Sequence, residues 1–358
     1  MNTEVILKAF GFDSKILSVS QKNTGHINST FMVECEDGTY IIQRINKNVF
    51  KAPLEVMSNL VGITDHIRKK LRASGGDVQN GTLQFVKCGE GYTYTDEVGD
   101  YWRAYRFVEG NCYQSCESPE VFFKVGAAFG HFHRQLSDFD ASLLYEVIPD
   151  FHNTVKRYEA FEAAVKRNAF SRVAECESEI AFARARRDVC GFIVNGLAEG
   201  RFPLRVTHND TKLNNIIMHK ETGEGLCVID LDTVMPGSLL CDFGDAIRFG
   251  ASTAAEDEAD LGKVTVSVEL FSAFTRGFLE ALGETVIREE LAGLVEGARV
   301  MALEQGMRFL TDYLEGDTYF RTHYAEHNLV RARNQLKLVA EIERKRGELE
   351  AVVAPYLA

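Results

Sequence analysis

Along the first hundred or so residues, apolar and polar positions mostly alternate. From Ser118 onward they recur every three or four positions. Ser29–Cys35 (STFMVEC) and Thr39–Ile45 (TYIIQRI) are rich in β-branched and aromatic residues, and Glu36-Asp37-Gly38 joins them with an Asp-Gly pair suited to a hairpin. Leu54–Leu71 changes period: apolar residues at 56, 57, 60, 63, 67 and 71 predict a helix. Leu83–Cys88, Tyr92–Thr95 and Tyr101–Val108 return to strand. Ser118-Pro119-Glu120 then supplies an N-cap, an N1 proline and a first-turn acid ahead of apolar 121, 122, 125, 129, 132 and 136. Further long helices are predicted over 154–168, 173–198, 264–283, 287–314 and 326–348, with a short β-rich insert among them. The expected class is α+β.

That insert, Val206–Asp232 (VTHNDTKLNNIIMHKETGEGLCVIDLD), holds the chemistry. His208-x-Asp210, an Asn five residues further on at 215, and Asp230 ending the next apolar run have the spacing of a phosphoryl-transfer loop. Asp210 can accept the proton of an attacking hydroxyl. Asn215 and Asp230 can hold Mg²⁺ against the phosphates of ATP, since hard cations take oxygen ligands. Each residue alone would be an ordinary turn former; it is the set, between two apolar runs, that points to a kinase. His208 is read as a brace for the loop through its ring nitrogens. Asp232, two residues after Asp230, is either a second metal ligand or a turn residue. Asp242-Phe243-Gly244 spells a kinase metal motif, but lies 32 residues past Asp210, after Pro236-Gly237, and Asp242 is read as structural. Sheet, one helix and more sheet ahead of this insert is the order of a kinase N-lobe. The expected fold is therefore protein-kinase-like and bilobal: an N-lobe with a nucleotide-binding sheet and helix over 1–109, and a helical C-lobe over 110–358 carrying the catalytic loop. The hinge is expected at Arg106–Gly110, with Gly110 giving backbone freedom.

Composition narrows the partners. The 358 residues suit two lobes, and 45% hydrophobic residues suffice for real cores. A net charge of −12 argues against nucleic acid or an anionic membrane as partner. No signal peptide is evident at MNTEVILKAFGFDSK, and no apolar run approaches the roughly 18 residues of a membrane span. The eight cysteines are scattered, as expected of buried thiols in a reducing cytoplasm, and Cys112-x₃-Cys116 has no second pair to make a zinc site. A cytoplasmic monomer is expected.

GHIN at 25–28, RVTHNDTKLNN at 205–215, IDLDTVMPGS at 229–238, DFGDAIRFGAST at 242–253, GMRFLTDYLEGDTYF at 306–320 and EHNLVR at 326–331 resemble the aminoglycoside phosphotransferase/choline kinase superfamily. The last two blocks resemble, within it, the bacterial N-acetylhexosamine 1-kinases. The resemblance implies phosphorylation of the anomeric hydroxyl of N-acetylglucosamine or N-acetylgalactosamine, with ATP and Mg²⁺, Asp210 as base and Asn215 and Asp230 as metal ligands. It places Asn28, Thr30, Gln43, Phe107 and Val108 on the ATP side. It places His26, Arg308 and Tyr319, with Asp210, on the sugar, and gives the later Asp242 a role in supporting the catalytic loop. Other small acceptors (choline, aminoglycoside, homoserine, another sugar) would use the same catalytic residues, and a non-catalytic nucleotide-binding regulator is a further reading. Two protein-kinase parts are missing. Gln21–Thr30 has a single glycine, and Gln43 stands where the phosphate-pairing lysine belongs, with Arg44 on the opposite face of a regular strand. Either Arg44, a cation elsewhere or the metal must compensate, and Glu55 is the candidate acid on the helix. Arg308 and Asp312 share a helix face and could be only a surface ion pair. No A-P-E motif follows Asp230, which argues against a protein kinase.

Overall fold

A computed structural model describes residues 3–22, 27–116 and 118–358. The chain divides into two compact units: Met1–Cys112 with Asp138–Pro149 and Asn215–Pro236, and Tyr113–Ser137 with Asp150–Asn214 and Gly237–Ala358.

The first unit opens with helix α1 (Thr3–Ala9), followed by strands β1 (Ile16–Lys22), β2 (Ser29–Cys35) and β3 (Gly38–Arg44), helix α2 (Pro53–Ser74), and strands β4 (Tyr94–Thr95) and β5 (Tyr101–Arg106). The strands form one antiparallel sheet in the order β1-β2-β3-β5-β4. Alternation does its work on one face, where Val33, Cys35, Ile42, Trp102 and Ala104 pack with Ile6, Leu7 and Phe10 of α1. β1 has few buried positions to betray it, which is why its sequence carries no clear strand signal. The strand expected over Leu83–Cys88 does not form. One edge of β5 is divided between β4, opposite Tyr101 and Trp102, and a single bridge from Phe85 to Tyr105, so neither partner runs long. α2 starts at a proline and stops at Gly75, whose left-handed φ of 69° ends the helix. Its buried Asn59 donates to Tyr145 O (2.8 Å) and Val234 O (3.0 Å) and accepts from Tyr145 N (2.9 Å), tying both later stretches into this unit. Beyond β6 (Arg205–Thr207), which lies in the second unit, the chain returns to the first as the hairpin β7 (Ile216–Met218) and β8 (Gly225–Val228).

The second unit is helical: α3 (Pro119–Gln135), α4 (Thr154–Arg167), α5 (Glu177–Arg184), α6 (Gly191–Ala198), α7 (Leu239–Gly250), α8 (Val268–Leu282), α9 (Arg288–Leu314), α10 (His327–Arg344) and α11 (Arg346–Leu357). Ser118 caps α3 by accepting from Val121 N at 3.3 Å, as its sequence predicts. The single helix expected over 173–198 is broken in two. The chain tightens around Arg186, whose guanidinium lies over the Phe182 ring and pairs with Glu343 on α10. The helix expected to 348 ends at Arg344, where Lys345 donates to Val266 O at 2.6 Å and a separate helix begins. α3 and α8 cross at backbone distance. A Cβ on Gly126, Gly130 or Gly277 would lie 2.3 Å from Phe274 O, 2.4 Å from Phe278 O or 2.0 Å from Phe123 O. Around this crossing Phe122, Phe243, Phe271, Phe274 and Phe278 pack mostly tilted or edge-to-face as a fully buried aromatic core. Among the described residues no helix is long and apolar enough to cross a membrane.

Candidate active site

In the helical unit, the loop after β6 is fastened to the start of α7. Ser238 caps α7, so Asp242 falls in its first turn, 1% exposed. Its carboxylate accepts from the backbone N–H groups of His208 and Asn209, both at 2.7 Å, and lies 2.9 Å from His133 Nε2. Thr211 adds two bonds to the same helix, from its hydroxyl to Asp242 O (2.5 Å) and from its N–H to Asp245 Oδ2 (3.1 Å). His208 is fully buried against the rings of Phe129 and Phe132, and its Nδ1 accepts from Asp210 N at 3.3 Å. Asn209 takes a left-handed φ of 65°, tolerable for Asn. This turn delivers Asp210, part-exposed, with Lys212 Nζ 2.7 Å from its Oδ1. Burial alone would lower the Lys212 pKa, but the charges of Asp210 and Asp245 outweigh it and hold it above its ordinary value.

Beside this loop, His152 Nε2 lies 3.3 Å from Asn209 O and Nδ1 lies 2.7 Å from Glu304 Oε1. Burial pushes the Glu304 carboxyl up, yet the charge and hydrogen bond of His152, then Arg308 and Thr154, bring it below its usual range. The ring of Phe151 abuts His152 and lies under Arg308, whose guanidinium also faces Phe320 and Tyr319, at 5.2, 5.5 and 6.0 Å from the three centroids. Arg157 donates twice to Phe151 O, and burial, with the nearby Arg308 charge, lowers its pKa. Asp312 does not pair with Arg308. It is buried and accepts from the N–H groups of Thr318, Tyr319 and Phe320 (2.8–2.9 Å) and from Asn328, so it shapes the turn that carries Tyr319.

In the sheet unit, the Ile229 N–H donates to Asn215 O at 2.9 Å, which sets Asn215 and Asp230 at the same end of the β7–β8 ladder. Asp230 is exposed and left-handed, with φ 56° and ψ 51°, a conformation that concentrates at functional turns. Asn28, Thr30 and Gln43 belong to one network. Asn28 Nδ2 donates to Asp232 Oδ2 (2.5 Å), and Gln43 Nε2 donates to Thr30 Oγ1 (3.1 Å). Asp232 pairs with the buried Arg103, which also bonds Gln43. Arg44 faces away, as the strand period requires, and pairs with Asp100 at 3.2 Å. Phe107 N donates to Thr39 O (2.9 Å), and Val108 is buried. Asn111 exchanges both backbone bonds with Met218 at 2.8 Å. Gly110 is required for room and not for backbone freedom: a Cβ there would sit 2.3 Å from Ile217 Cγ2 and 2.5 Å from Met218 O. His26 lies outside the described residues.

Comparison with known proteins decides the family. The phosphotransferase enzyme family profile matches residues 18–267, well over half of the chain. The chain belongs to the phosphotransferase enzyme family. Its fold is similar to that of an aminoglycoside phosphotransferase from Alicyclobacillus acidocaldarius (TM-score 0.61, 12% identity, 100% of this chain and 96% of that one). It is likewise similar to choline kinase from Cryptosporidium parvum (TM-score 0.58, 15% identity, 99% and 98%) and to a spectinomycin phosphotransferase solved with ADP and spectinomycin (TM-score 0.55, 14% identity, 97% and 98%). At such identities the likeness is one of fold, and it is the protein-kinase-like α+β fold of phosphotransferases. For this family member, sequence spacing missed two cations, Lys212 and Arg103. The first had a signal, since it stands two residues past Asp210. The second had none, because only the cross-strand pairing of β3 with β5 brings it to Gln43.

Proposed function

We propose that the chain is an ATP- and Mg²⁺-dependent kinase that phosphorylates the anomeric hydroxyl of N-acetylglucosamine or N-acetylgalactosamine. The observation that carries the acceptor class is the surround of Arg308: a guanidinium against Phe151, Tyr319 and Phe320, with the second cation Arg157 close by. Aromatic faces and donor-rich guanidinium suit a neutral pyranose with hydroxyl and acetamide acceptors. The two guanidinium charges disfavour a quaternary or poly-amine acceptor, which the aromatic faces alone would admit. Glu304, the buried acid here, is already engaged by His152 and Thr154. Phe151 and His152 link this wall to the Asn209 carbonyl, one residue before Asp210.

In this reading the sugar O1 attacks the γ-phosphorus, the bond from that phosphorus to the ADP oxygen breaks, and the hydroxyl proton passes to the Asp210 carboxylate. The anomeric hydroxyl is more acidic than its neighbours, so Asp210 acts chiefly by orienting it. Lys212, whose Nζ lies 2.7 Å from Asp210 Oδ1, adds positive charge beside the transferred group. Asn215 and Asp230 are oxygen donors at one ladder end, the donor class Mg²⁺ takes, and the bound ion would neutralise phosphate oxygens. Phosphorus NMR of the product tests the reading. A 1-phosphate couples to the anomeric proton and is labile in warm acid; a 6-phosphate couples to a methylene pair and is stable. A 6-phosphate, or turnover of choline or an aminoglycoside with neither hexosamine consumed, would remove the acceptor assignment and leave the family standing.

A further inference from the structure

β3 lacks a lysine, yet a buried cation stands beside Gln43. Gln43 and Arg103 are directly opposed in the β3–β5 ladder, and Arg103 is 3% exposed. Its Nε and Nη2 donate to Gln43 Oε1 at 3.0 and 2.7 Å. Nη2 also donates to Asp232 Oδ2 at 3.0 Å, and Nη1 to Asp232 Oδ1. The Gln43 amide is completed by its bond to Thr30, and Asp232 by the amide of Asn28. The remaining Nη1 hydrogen has no partner among the described residues. Kinase N-lobes pair a strand lysine with a glutamate of the following helix. Among the described residues Glu55 on α2 pairs with no cation, whereas Arg103 has its own acid in Asp232, two residues beyond Asp230.

We propose that Arg103 is the phosphate-binding cation of this phosphotransferase, reached from β5 instead of β3. Asp232 serves as its counter-ion, and Gln43 as a bracket that aims it. The proposal rests on the sheet unit being the nucleotide side. Four charge-assisted or amide bonds already hold the guanidinium, so little side-chain freedom is lost when the fifth N–H meets a phosphate oxygen. Asp232, neutralised by Arg103, is then no metal ligand, and Gln43 touches the guanidinium and not the nucleotide.

The test measures Mg·ADP binding calorimetrically, with ATP and acceptor KM alongside. Arg103→Met should weaken Mg·ADP binding and raise the ATP KM by about tenfold or more, with the acceptor KM moving less than about twofold. The exchange Gln43→Lys with Arg103→Gln puts the cation back on β3 across the same pair, and should recover a substantial part of the loss. Arg103→Met strands a buried carboxylate, so Arg103→Met with Asp232→Asn is measured beside it. A loss that this neutral pair relieves, or unchanged Mg·ADP affinity in both variants, would overturn the proposal. Wild-type protein that binds no Mg·ADP would instead overturn the nucleotide reading of the sheet unit, before any variant is made.

Discussion

Two buried aspartates of the helical unit and one of the sheet unit are held in opposite ways. In the helical unit, Asp242 and Asp312 turn their oxygens to backbone N–H groups: two from His208–Asn209, three from Thr318–Phe320. In the sheet unit, among the described residues, Asp232 meets side chains, those of Arg103 and Asn28. A carboxylate bound to main chain fixes the course of a loop and hence where its neighbours point. A carboxylate bound to a guanidinium fixes a charge and leaves the backbone alone. The helical unit thus uses Asp242 and Asp312 to place Asp210 and Tyr319, and the sheet unit uses Asp232 to place a cation.

The comparison breaks most visibly at the residue the first kind of anchor exists to deliver. Asp210→Asn keeps the loop and removes the proton acceptor. The kcat should fall by about 10³-fold with nucleotide affinity retained, and near-normal turnover would end its role as base or orienter. Asp242→Ala attacks the anchor itself. Two buried N–H groups lose their acceptor at about 1–3 kcal/mol each, so urea melts should show a loss of about 3 kcal/mol and kcat should drop by about 100-fold. If Asp242→Ala changed Mg²⁺ titration alone, with stability intact, the assignment of Asp230 to the metal and Asp242 to the loop would have to be reversed. Arg308→Ala should raise the acceptor KM by about tenfold with the ATP KM within about twofold, as steady-state assays would show.

A gentler probe is pH. Glu304 titrates below its ordinary value in the folded chain, so its stabilising contribution is complete above the unfolded value of about 4.3 and fades as pH falls through the lower folded one. Thermal melts of Glu304→Gln and wild type should therefore differ fully at neutral pH and converge as the solution is acidified. The smallest effect is expected from Arg44→Ala, because Arg44 is exposed and pairs with Asp100 on the far side of β3 from Gln43. Activity within about twofold of wild type is expected, and a large loss would mean a shifted strand register.

Much of this was legible in the chain because it is local. The β2–β3 hairpin is written in an Asp-Gly turn between alternating strands, and α3 in its Ser-Pro-Glu start. The reading of His208 as a brace follows from its place in the loop before Asp210, and its buried ring bears it out. What stayed hidden is set by tertiary partners. Leu83–Cys88 has a strand's composition, but the adjoining edge of β5 is shared with β4. The break near Arg186 follows contacts with Phe182 and Glu343, and Glu343 lies 157 residues away. Arg308 and Asp312 share a helix face, yet the amides of a later turn claim Asp312. Arg103 could be named only once two strands were known to lie side by side.

The crossing of α3 and α8 carries a consequence for how this protein can change over generations. Gly126, Gly130 and Gly277 let two backbones touch, and the last turn of the same α3 carries His133, whose imidazole meets the Asp242 carboxylate. Three positions without side chains therefore gauge the distance to the loop that carries Asp210. At each of them alanine, ordinarily the mildest of replacements, is the smallest possible step and already too large. Exposed positions can drift by small exchanges, while these glycines leave natural variation no graded path. They bound the sequence space open to this fold from inside a buried helix crossing.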